Sequence, residues 1–87
     1  MNDRRTEITM AAMRSLCTAV LDDAVAILRR GRRAGDRREM ALVRETREWI
    51  LDDDYDRLFS FANVCEILDV SAASIRHAIR DLLVPVT

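Results

Sequence analysis

Eighty-seven residues with a formal net charge of −1 make one domain near the lower limit of what folds alone, and a near-neutral balance argues against indiscriminate nucleic-acid binding. Apolar residues make up 49% of the chain and charged ones 33%, with two glycines and one proline, a mix that excludes a disordered tail and favours compact helices. All fourteen basic residues are arginine, the side chain suited to paired and bidentate contacts.

Taken from the N-terminus, Thr6 caps an expected first helix running to about Arg30. Its apolar positions, among them Ile8, Met10, Met13, Leu16, Cys17, Val20, Leu21, Val25 and Leu28, cover more than one narrow face. At 1.5 Å per residue such a helix is about 37 Å long. A small helical unit cannot cover it, so a homodimer held largely by this helix is expected. No apolar run reaches the roughly 18 residues needed to span a bilayer. The start MNDRRTEI also lacks the apolar stretch of a signal peptide, so the expected location is the cytoplasm and no membrane partner is expected.

Gly31 and Gly35 in GRRAGD mark a turn through left-handed backbone. Asp36 and Glu39 then open a second helix as a capping-box-like pair, running to about Leu51. Met40, Val43, Trp49 and Ile50 form its apolar side and Arg44, Glu45, Arg47 and Glu48 its wet side, completing a helical hairpin over 6–51. Charge is unevenly spread. Residues 29–38 hold six arginines against Asp36, a phosphate grip, whereas residues 39–57 hold seven acids against three arginines and would repel DNA.

The run Asp52, Asp54, Asp56 has the alternate spacing that begins a calcium-binding loop. Arg57 stands where that loop needs glycine and Asn63 where it needs a bidentate glutamate, so no cofactor or metal is expected here. Cys17, Cys65 and His77 lack zinc-ligand spacing, and both cysteines fall on apolar faces as buried free thiols. A lone histidine without a nucleophile partner and the absence of a glycine-rich phosphate loop argue against an enzyme.

The C-terminal part, 59–84, carries the most specific pattern. Phe61, Val64, Cys65 and Leu68 recur at helical spacing after Ser60, an N-cap, with Phe59 placed to staple onto Val64. Asp69-Val70 breaks the run, Asp69 taking the left-handed turn position. Ser71 caps a last helix over 72–83, stopped by Pro85, whose Ile75, Ile79 and Leu82 face inward. That predicts a helix-turn-helix, and with the hairpin an all-α fold of about four helices in a single domain, 1–87.

With the isoleucines buried, Ala73, Arg76, His77 and Arg80 form an outward stripe on the last helix. Arginine reads guanine edges, and small Ser71, Ala73 and Ser74 let a helix N-terminus approach the major groove. The leading expectation is therefore a small dimeric DNA-binding protein, a transcriptional regulator. Its base contacts would come from Ser71, Ala73, Ser74, Arg76, His77 and Arg80, and its phosphate contacts on double-stranded DNA from Arg32, Arg33, Arg37 and Arg38. The alternative is a protein-interaction module or adaptor, with a partner such as a transcription-machinery protein, in which the helix-turn-helix is only a packing unit.

The segment Trp49–Arg80 resembles the C-terminal half of a group of short, functionally uncharacterised bacterial proteins. The shared features are a tryptophan, an acidic run, Phe59-Ser60-Phe61, a Val64-Cys65 pair, Leu68 and a final Ile75-Arg76. The resemblance implies a helical fold ending in a helix-turn-helix. Here Asp69 replaces the glycine usual at the turn and Ser71-Ala72 replaces Asp-Pro.

Overall fold

A computed structural model describes residues 3–31 and 36–84, with side chains from Thr9 on. Five helices follow in order: α1 (Asp3–Gly31), α2 (Arg37–Leu51), α3 (Phe61–Ile67), α4 (Ala72–Ala78) and α5 (Arg80–Leu83). The fold is all-α, a helical hairpin followed by a helix-turn-helix. Arg32, Arg33, Gly35 and Pro85 lie outside the described residues.

Two expectations about helix ends are corrected. Helix α1 already runs from Asp3, so Thr6 lies within the helix and does not cap it. The single last helix expected over 72–83 is two short ones, because Ile79 (φ −108°, ψ 17°) leaves helical geometry between α4 and α5.

The other caps act through the atoms their residue types provide. Asp36 accepts from the Arg38 N–H at 2.8 Å and starts α2. Ser60 accepts from the Asn63 N–H at 3.2 Å, and Ser71 from the Ser74 N–H at 3.1 Å. Helix α3 ends in a Schellman motif. Asp69 N–H donates to Glu66 O (3.1 Å) and Val70 N–H to Cys65 O (2.9 Å), with Asp69 left-handed at φ 55°. Aspartate thus occupies the position glycine usually fills.

One core joins the two halves. Ala24 and Leu28 of α1, Ile50 of α2, and Phe61 and Cys65 of α3 are buried together, with Val43, Ile75, Ile79 and Leu82 packed against them. Phe61 is fully enclosed, and the Trp49 ring meets it edge-on at 5.5 Å. Enclosing one such aromatic side chain contributes about 1.5–3 kcal/mol. Cys17 and Cys65 are buried free thiols. No described helix is long and apolar enough to cross a membrane.

Gly31 has a different role from the one expected. It ends α1 without positive φ, and a Cβ built on it would run into the Val43 side chain of α2. The missing side chain lets the two helices close on each other at the hairpin end. Val43 is β-branched and stiff, so it cannot swing aside. Gly31→Ala is therefore expected to lower stability by about 1–3 kcal/mol in urea unfolding, the range for overpacking a close contact. Asp69→Gly should act in the opposite direction, raising stability by up to about 1 kcal/mol because the left-handed residue loses its Cβ penalty. An unchanged midpoint in either variant would contradict these backbone assignments.

Candidate functional site

The expected reading face was Ser71, Ala73, Ser74, Arg76, His77 and Arg80. The structure leaves Ser71, Ala73, Ser74, His77 and Arg80 exposed and turns Arg76 inward. Its Nε donates to Ile50 O at 2.8 Å, Nη2 to Asp52 O at 3.1 Å, and Nη1 to the Asp53 carboxylate at 2.9 Å. The guanidinium carbon stands 5.1 Å from the Phe61 ring centroid, and 23% of the side chain remains exposed. The outward placement of Arg76 is thereby overturned. Ile50 and Asp52 present carbonyls that α2 leaves unpaired at its C-terminus, and a planar fork of donors satisfies them better than water does.

Arg80 is exposed but also engaged locally. Its Nη1 donates to His77 O at 2.9 Å and lies 3.4 Å from His77 Nε2, so the guanidinium folds over the end of α4. Arg37 and Arg38 are exposed at the start of α2, while Arg76 grips its other end. A helix of 15 residues puts about 20 Å between them. Arg37 and Arg38, expected at phosphates, and Arg76, expected at base edges, thus sit at opposite ends of α2.

A second feature, which sequence reasoning missed, is the connector between α2 and α3. Asn63 Nδ2 donates to Tyr55 O (2.8 Å) and Arg57 O (2.6 Å), the Asp56 N–H donates to the Asp54 carboxylate (2.8 Å), and Trp49 Nε1 donates to Phe59 O (2.9 Å). With Arg76 on Asp52 O, the segment is fastened along its length by side chains from three helices. Its large apolar side chains remain outside: Tyr55 is 62% exposed and Leu58 60%, interleaved with exposed Asp52, Asp53 and Asp56, and Leu51 at the end of α2 is 52% exposed beside them. An asparagine at the third position of a capped helix was the only sequence signal for this clamp.

Beside the connector, an open groove of about 410 Å³ runs between Tyr55 and the turn, rimmed by Glu66, Asp69 and Val70. Cys65 lies at its floor, and burial pushes the thiol pKa up against the opposing pull of the Arg76 guanidinium. A raised thiol is a poor nucleophile at neutral pH. Among the described residues no three His, Cys, Asp or Glu side chains are placed to hold a metal ion.

No protein-family model, no curated protein and no solved structure matches this chain.

If Arg76 is a clasp, its geometry matters more than its charge. Arg76→Lys keeps the charge but loses the fork, and is expected to cost nearly as much as Arg76→Ala. That cost is about 2–3 kcal/mol in thermal or urea unfolding, after allowing for its partial exposure. A lysine variant as stable as the parent would reduce the clasp to a simple surface ion pair.

Proposed function

We propose that the chain is a protein-interaction module or adaptor, its helix-turn-helix serving as a packing unit and its α2–α3 connector meeting a basic partner protein. The observation that carries this reading is the fastened connector, which holds Tyr55 and Leu58 in water among aspartates, next to exposed Leu51 at the end of α2. Large exposed apolar side chains on an ordered backbone are costly in solution and become favourable on contact. Because the backbone is already fixed, little ordering entropy would be lost on binding.

Charge supports the same reading. Residues 52–84 hold seven acids against three arginines, and one of the three, Arg76, is spent inside the chain. Such a surface repels phosphate and attracts cationic side chains. Glu66 and Asp69 on the groove rim extend the acidic field beyond the connector.

The DNA-binding reading, a dimeric transcriptional regulator, is favoured by one observation. Ser71, Ala73, Ser74, His77 and Arg80 are exposed together on and beside a capped helix. In it Arg37 and Arg38, with Arg32 and Arg33, would hold phosphates.

A fluorescence-anisotropy titration of the full chain against a mixed-sequence duplex separates the two. The interaction reading expects no saturable binding at low or moderate salt. Steeply salt-dependent binding, weakened by Arg80→Ala and Arg38→Ala, would replace it with the DNA reading. A photo-crosslinking residue at position 58 is expected to trap a protein from host extract, and the same residue at position 73 is not. Equal trapping at both positions would remove the connector from the interface.

A further inference from the structure

The ends of α2 and α3 pose the same electrostatic problem. Both helices finish without a basic residue in the last turn and both meet acids there, α2 running into Asp52 and Asp53, α3 through Glu66 into Asp69. At the end of α2 the answer is internal. The Arg76 guanidinium caps the carbonyls of Ile50 and Asp52, pairs with Asp53 and lies against the Phe61 ring. At the end of α3 no arginine arrives. Glu66 and Asp69 are exposed and form no ion pair with any described side chain, although both line the groove that Tyr55 also lines. Two like charges on one rim repel each other, and a cation between them would remove that cost.

The groove has the shape for such a guest. Ala62 and Cys65, small and almost wholly enclosed, leave an apolar floor beneath about 410 Å³ of open space, at the low end of the range for ligand sites. The backbone of Tyr55 is held by Asn63 Nδ2 at 2.8 Å, so the aromatic wall stands on a fixed support. Among the described residues the lining holds two carboxylates and no basic side chain, which disfavours a phosphate.

Building on the interaction reading above, we infer that the groove takes an arginine side chain of the basic partner, its guanidinium stacked on Tyr55 and paired with Glu66 and Asp69. Arginine is selected over lysine because a planar, weakly hydrated cation offers a face to an aromatic ring and an edge of donors to carboxylates at the same time. The partner's arginine would do at the end of α3 what Arg76 does at the end of α2, with carboxylates in place of free carbonyls.

Amide chemical shifts of the full isotope-labelled chain, followed as a blocked glycine-arginine-glycine peptide is added, test this. Saturable shifts are expected at Cys65, Glu66, Asp69 and Val70. The lysine peptide should bind about fivefold more weakly, and the citrulline peptide, which keeps the shape without the charge, should not bind. Glu66→Gln combined with Asp69→Asn should weaken the arginine peptide about tenfold through two lost charge pairs, while asparagine keeps the left-handed turn. Tyr55→Ala should weaken it about threefold, and Tyr55→Phe, which keeps the ring, should not. Equal responses to arginine and citrulline, equal affinity for lysine and arginine, shifts confined to other surfaces, or a double variant that binds like the parent would each overturn the inference. Groove amides that move when the chain alone is diluted would give the site to a second copy and overturn it as well. Crosslinking from position 58 keeps the broader reading separate. A partner still trapped there by a chain whose groove ignores the arginine peptide removes the groove and leaves the connector; the reverse pattern removes the connector and leaves a guanidinium site.

Discussion

The contact on which the rest of this structure depends is the guanidinium of Arg76 at the end of α2. That helix finishes with no basic residue in its last turn and runs directly into Asp52, Asp53 and Asp54, so its negative pole meets three more negative charges. Arg76 relieves this from 26 residues away, pairing Ile50 O and Asp52 O while its plane lies against Phe61. The same contact fixes the rotation of α4. With Arg76 turned in, Ile75 and Ile79 reach the core, and Ala73, Ser74 and His77 are left outside. Hairpin, connector and helix-turn-helix are therefore coupled through one side chain.

Local chemistry was legible in the sequence, and long-range orientation was not. Asp36, Ser60 and Ser71 cap the helices expected of them, and Asp69 takes the left-handed turn, because each acts on backbone within a few residues. Periodicity also found the core of α3. Arg76 was misplaced because its spacing to Ala73, His77 and Arg80 fits an outward stripe, while a long side chain at the edge of that stripe can reach either way. Its acceptors are backbone carbonyls of another helix, and no residue pattern announces those. Arg47, expected on the wet side of α2, is half-buried, and its Nε is enclosed without a hydrogen-bond partner among the described residues. Gly31 was identified as special on the wrong ground. Its value lies in the nearness of Val43, which appears only once α1 and α2 are packed.

The connector shows how an unpromising stretch becomes a surface. Read as sequence, Asp52–Phe59 is a polar link with a failed calcium pattern. Folded, it has Asn63 bridging two of its carbonyls and Trp49 holding a third, so the backbone is satisfied by side chains that already belong to the core and the adjacent helix. Every polar group used inward leaves the neighbouring side chains free to point outward. That is why Tyr55 and Leu58 remain in water although an apolar core lies beneath them.

Charge placement along α2 supplies the last step. Its positive pole carries Arg37 and Arg38 balanced by Asp36 and Glu39, whereas its negative pole is followed by aspartates, so the C-terminal end holds the sign that the helix dipole disfavours. Each such charge costs about 0.3–1 kcal/mol at an exposed terminus. Asp36 and Glu39 offset the two arginines at the first end, and Arg76 offsets the aspartates at the second from outside the helix. Arg37 and Arg38 are thus separated from Asp52 and Asp53 by the length of the helix. The acidic end is also the one where the exposed side chains of Tyr55 and Leu58 stand on a fixed backbone, and the proposed contact with a basic partner rests on that combination.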